Sequence, residues 1–145
     1  MGLGRMPFGT VRHGVRSMHW KTQLYASANR IADRFVGYPG VTAVAIGGSI
    51  ARGATWRHSD LELCLVVESH IPELQYFNHW EGIGVEILQI GRDAMASFVD
   101  GFAQPDASLL QFPIQIYKCT IVHDPDRLLY RFKTIYDRHL FHSNV

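Results

Sequence analysis

Acidic residues are missing from the start of the chain. None occurs before Asp33, whereas Arg5, Arg12, Arg16, Lys21 and Arg30 are all basic. The opening MGLGRMPFGTVRHGVRS also lacks an apolar core of signal-peptide length, which argues against secretion. Residues 1–16 therefore read as a basic, flexible arm ahead of a domain spanning 17–145. An acid-free, arginine-bearing start also has the look of a transit peptide, although residues foreign to the fold or merely disordered are the simpler reading. Cysteine is scarce: Cys64 and Cys119 are the only two, and neither sits in a C-x-x-C pair. They read as buried, reduced thiols of a cytoplasmic protein rather than as a disulfide. No apolar stretch approaches the length of a membrane span, so no membrane partner is expected. The formal charge of +1 leaves no broad basic excess, which removes the general case for nucleic-acid binding. Repeats and low-complexity tracts are absent as well.

What is present suits one domain. A chain of 145 residues, 47% of them hydrophobic, can bury a core but is too short to expect two. From Ser17 to Val36, Trp20, Leu24, Ala28, Ile31 and Phe35 recur at helical spacing, with Ser17 as N-cap and Gly37 and Pro39 as the stop. VTAVAIG (41–47) is apolar on both sides, as in a buried strand. Gly47, Gly48 and Ser49 break it, and SIARGA starts a short helix. DLELCLVV (60–67) alternates, with Leu61, Leu63, Leu65 and Val67 opposite Asp60, Glu62 and Cys64. SHIPELQYFNHWEG is a loop or weak helix. IGVEILQI (83–90) is a third strand carrying Glu86. A helix capped by Asp93 follows, with Met95, Phe98, Val99 and Phe102 inward. The stretch 108–122 is ambiguous, because Pro113 disfavours one long element there. Asp124 and Pro125 suit the N-cap and first position of a closing helix marked by Leu128, Phe132, Ile135 and His139.

The chemistry concentrates in IGGSIARGATWRHSDLELCL. Asp60 and Glu62 share one strand face, and two adjacent carboxylates repel unless something positive lies between them. A divalent cation does this, and magnesium takes one or two carboxylates together with phosphate oxygens and water. The Gly-Gly-Ser turn complements it, because glycines let backbone amides approach an anion closely. Each part alone has a plain explanation: acids on the wet face of an alternating strand, and a turn that is only a turn. Together they are more telling, since the turn follows one buried strand and the acids open the next. Glu86, inside a third apolar strand, is costly to bury unless paired or at an edge.

G-S followed by D-x-D or D-x-E, with a further carboxylate on a later strand, resembles the nucleotidyltransferase superfamily related to DNA polymerase β. Within it, GSIAR, SDLELCLV and GVEILQI are similar to the kanamycin-type aminoglycoside nucleotidyltransferases, which also favour glutamate at the second and third acid positions. The short length is similar to that of the minimal nucleotidyltransferases, some of which are antitoxins that modify a partner protein. The resemblance covers Ser17 to the DPDRLL segment. It implies an α/β fold with a mixed, partly antiparallel sheet of four or five strands and helices on one side. It also implies roles: Gly48 and Ser49 on the β- and γ-phosphates, with Arg52 either helping to neutralise them or serving as a solvated helix arginine. Asp60 and Glu62 would bind Mg2+, and Glu86 would complete the site as a further ligand and base.

The implied activity is transfer of a nucleoside monophosphate from ATP or another NTP to a hydroxyl of a small, aminoglycoside-like acceptor. The kanamycin-type enzymes carry a following helical domain whose glutamate is regarded as the base. Nothing here matches it, so the acceptor side is expected from a second subunit, a partner or a longer parent chain, unless Glu86 does that work. Two rivals stand beside this reading. One is adenylylation of a partner protein; the other is a regulatory module that binds nucleotide without turnover. Tyr76, Phe77 and Trp80 suit a homodimer interface, stacking on a base, or plain core packing, and Trp56 allows the last two. His58 and Arg57 could touch phosphate or line a solvated loop. His139 and His142 read as surface or packing histidines before metal ligands, and Asp100 and Asp106 need no function.

Overall fold

The computed structural model describes residues 13–53, 59–101 and 119–142; within these, the side chains of 13–18, 49, 52 and 136–142 lie outside the described set. Helix α1 (His13–Phe35) starts ahead of Ser17, so the last residues assigned to the arm are helical. Its spaced apolar positions Leu24, Ala28, Ile31 and Phe35 are all buried. Strand β1 (Val41–Gly47) runs into the short helix α2 (Gly48–Arg52), and β2 (Leu61–Val67) follows. The segment read as a loop or weak helix is a 3-10 turn at Pro72–Tyr76 and a two-residue strand, β3 (His79–Trp80). Then come β4 (Ile83–Gly91), α3 (Arg92–Val99), β5 (Thr120–His123) and α4 (Leu128–His142). Part of the ambiguous stretch is thus strand β5; residues 108–118 lie outside the described residues, as does Phe102.

The five strands form one mixed sheet in the order β3-β4-β2-β1-β5. β1 pairs antiparallel with β2 and β5, and β4 pairs antiparallel with β3. β2 and β4 run parallel. The α/β class and the mixed, partly antiparallel sheet are as expected. The helices, expected on one side, lie on both. Helix α1 covers the face carrying Val44, Ile46, Leu61, Leu63 and Leu65. Helices α3 and α4 cover the other with Met95, Val99, Leu129 and Phe132. The reason lies in the strands themselves. Beyond Glu62 the acid-bearing face turns apolar, with Cys64 and Val66 on β2 and Ala43 and Ala45 on β1, and that surface needs its own cover. β2 is therefore the central strand, buried on both faces along most of its length, and polar only where it begins.

The ends of α3 and α4 correct two expectations. Gly91, not Asp93, is the N-cap of α3, and Asp93 lies in the first turn, where a carboxylate still suits the helix dipole. Helix α4 begins three residues after Pro125, yet Asp124 still caps it from the preceding turn. Its Oδ1 accepts the Leu129 amide at 3.2 Å and its Oδ2 the Tyr130 amide at 2.9 Å. Because one carboxylate satisfies two otherwise open amides, Asp124→Ala is expected to cost about 1–2 kcal/mol. Thermal unfolding checks this, and an unchanged midpoint would mean that the cap contributes nothing. Among the described residues, no helix is long and apolar enough to cross a membrane.

Candidate functional site

The sheet brings the three acids to one place. Gly47, at the end of β1, is the register partner of Glu62 near the start of β2. Glu62 in turn is the partner of Glu86 on the parallel strand β4. Gly47, Glu62 and Glu86 therefore stand side by side in one row across three strands, on the face that α3 and α4 cover farther along. Asp60 lies on the same face of the β2 chain, just before the strand begins. Asp60 and Glu86 are exposed, and Glu62 is half-buried with its Oε2 inside. Glu86 escapes the cost of burial because it faces solvent near the sheet edge, where only the short β3 lies beyond β4.

The glycine turn meets this row directly. Gly48 is buried and has φ +65°, and a β-carbon on it would lie 2.5 Å from both Cδ and Oε2 of Glu62. The backbone of the turn thus rests on the Glu62 carboxylate. An amide-rich turn suited to an anion and a row of carboxylates suited to a cation adjoin at one end of the sheet.

The donor types, though not a closed group, are ones that magnesium accepts. All three are hard carboxylate oxygens, the class that magnesium prefers, and Gly48 leaves the Glu62 carboxylate the room that a β-carbon would take. Among the described residues, Asp60, Glu62 and Glu86 included, no group of three or more His, Cys, Asp and Glu is placed to hold a metal ion. Magnesium does not require such a group, since one or two carboxylates suffice where phosphate and water supply the other oxygens.

Cys64 follows Glu62 on the same face; it and Cys119 are both buried, and neither forms a disulfide. Burial pushes the Cys64 thiol well above its ordinary range, and the neighbouring Cys119, Glu62 and Glu86 push it the same way. Cys64 is therefore a protonated core thiol at neutral pH, not a nucleophile.

Several sequence-level candidates fall elsewhere. Phe77 and Trp80 stack at 4.8 Å, with the Arg34 guanidinium 4.3 Å from the Trp80 ring centroid, and both rings pack against the α1 face, opposite the acids. They serve the core there rather than a base bound beside the carboxylates. Tyr76 is exposed, and Asp100 accepts from Arg131 at 3.0 Å. A 280 Å³ cavity lined by Tyr25, Ala28, Asn29, Ile46, Ile50 and Thr120 is likewise on the α1 side. The side chains of Ser49, Arg52, His139 and His142, and the residues Trp56, Arg57, His58 and Asp106, lie outside the described residues.

One residue of the site was missed by sequence reasoning. Gly84 adjoins Asp60 across the β2–β4 pair, and a β-carbon on it would collide with Asp60 Oδ1. The available signal was a glycine two positions before Glu86, on the same strand face. Recognising its role required the parallel register. The chain matches no protein-family model and no curated protein sequence.

Proposed function

We propose that the chain is a magnesium-dependent nucleotidyltransferase of the DNA polymerase β type. It moves a nucleoside monophosphate from ATP or another NTP to a hydroxyl of a small, aminoglycoside-like acceptor and releases pyrophosphate. The observation that carries this reading is the meeting of the Gly48 turn with the Glu62–Glu86 row. An anion cradle adjoining a carboxylate makes electrostatic sense where a bound cation would offset the negative charge of both.

In this reading Asp60 and Glu62 would hold the magnesium and Glu86 would complete the site. Gly48 and Ser49 receive the β- and γ-phosphates, with Arg52 adding positive charge. Bound magnesium supplies charge neutralisation on the triphosphate and the departing pyrophosphate. The acceptor oxygen forms its bond to the α-phosphorus while the bond from that phosphorus to the bridging oxygen breaks. The acceptor proton passes to Glu86, the carboxylate exposed at the rim of the row. Positioning and fixed electrostatics account for most of the catalysis.

Calorimetric titration of ATP, CTP, GTP and UTP, with and without magnesium, tests this on the wild type and Asp60→Asn. The expected result is magnesium-dependent binding of at least one nucleotide that the substitution removes. Full nucleotidyl transfer by Asp60→Asn would sink the metal assignment, and failure of every nucleotide to bind would sink the function.

A further inference from the structure

We infer that Gly84 is a positioning residue for the Asp60 carboxylate: its missing side chain leaves the space in which that carboxylate lies across β4, the strand that carries Glu86. For its ligand, the inference rests on the reading of the acids as magnesium carboxylates.

The register sets the juxtaposition. Leu61 pairs with Val85 and Glu62 with Glu86, so Asp60 stands beside Gly84 one step earlier on the same sheet face. A β-carbon at Gly84 would overlap Asp60 Oδ1, lie 3.1 Å from Cγ and 3.7 Å from Oδ2. These are its three nearest neighbours beyond the adjoining chain, so every other such atom is at ordinary contact distance or farther. The Asp60 carboxylate alone occupies the place of a side chain. The backbone gives no competing reason for glycine, because Gly84 is not among the glycines with positive φ. Glycine inside a strand weakens it, and marks a place where another group approaches closely. Here the approaching group is an acid of the proposed metal site.

Asp60 is exposed and turns about its own side-chain bonds, so alanine at 84 displaces the carboxylate without unfolding the sheet. The consequence falls on metal binding, not on the fold. It also predicts a reversal: once Asp60 is truncated, alanine at 84 has room and brings the usual advantage of alanine over glycine in a strand.

The test compares wild type, Gly84→Ala, Asp60→Ala and the double variant in two measurements. In the first, binding of Mn2+ alone is followed by the electron paramagnetic resonance of the free ion. Gly84→Ala is expected to weaken binding about ten-fold or more, the size typical of losing a group that orients a metal ligand. The double variant is expected to bind no worse than Asp60→Ala. In the second, metal-free thermal unfolding, Gly84→Ala is expected to raise the midpoint by about 2–4 °C in the Asp60→Ala background and to leave it unchanged or lower it in the wild type. Wild-type Mn2+ affinity in Gly84→Ala, or the same midpoint shift in both backgrounds, overturns the inference. A wild type that binds neither Mn2+ nor nucleotide refutes the nucleotidyltransferase reading instead, and the two midpoint shifts still decide whether Gly84 makes room for Asp60.

Discussion

Gly48→Ala is expected to lower the unfolding midpoint by several degrees and to remove magnesium-dependent nucleotide binding. Two separate costs combine. The first is backbone strain: Gly48 has φ +65°, a conformation that costs an L side chain about 1–2 kcal/mol. The second is overlap with Glu62, whose Cδ and Oε2 lie 2.5 Å from the new β-carbon and Oε1 2.8 Å. Overpacking of this kind costs about 1–3 kcal/mol. Unlike Asp60, Glu62 is half-buried, so its carboxylate cannot swing freely into solvent. The turn itself must move, and the proposed phosphate cradle moves with it. Thermal unfolding and calorimetry of the single variant, beside Gly48→Ala/Glu62→Ala, separate the two costs. The double variant is expected to recover the overlap part and keep the backbone part. Full recovery would mean that the positive φ carries no cost, and a wild-type midpoint in the single variant would mean that the turn does not rest on Glu62.

The parts of the site that were legible in the sequence are the local ones. VTAVAIG and the apolar half of LELCLVV read as strands because β1 and β2 are central and densely buried. The break at Gly47 and Gly48 was visible for the same reason: it interrupts an apolar run. The pairing of Glu62 with Glu86 is not local. It depends on β2 and β4 running parallel, and no periodicity within either segment states which strand a residue will face. Gly84 was invisible on the same ground, since its meaning lies wholly in the position of Asp60. The placement of the helices on one side came from the family resemblance, and the alternation within β2 did not reveal that its acid-bearing face turns apolar. Cys64 and Val66 are fully buried under α3 and α4, so the face changes character partway along β2. Helix α4 shows the opposite case: Asp124 acts as a cap as read, but from a turn outside the helix, which residue preferences alone do not distinguish from a cap in place.

If the proposed reaction holds, the division between a wet, acidic end and a dry, apolar end sets stability and activity against each other at Glu86. Glu86 faces Glu62 across parallel strands about 4.8 Å apart, and like charges placed directly opposite are destabilising. Neutralising one of them is therefore expected to help the metal-free protein, with a midpoint for Glu86→Gln about 1–3 °C above wild type. The same substitution removes the base of the proposed reaction, an effect of about 100- to 10,000-fold in rate. It also removes one oxygen donor from the row, so the stabilisation conferred by magnesium and nucleotide together should shrink in proportion to the lost affinity. The measurement is a pair of melting curves, with and without magnesium and the bound nucleotide, beside a pyrophosphate-release assay on wild type and Glu86→Gln. Opposite signs, stabilised when empty and inactive when loaded, are what a carboxylate retained for function at the expense of the fold produces. A variant that is destabilised when empty would show that Glu86 has a favourable partner in the fold, and unimpaired pyrophosphate release would remove it from the reaction and leave Asp60 and Glu62 as the working pair.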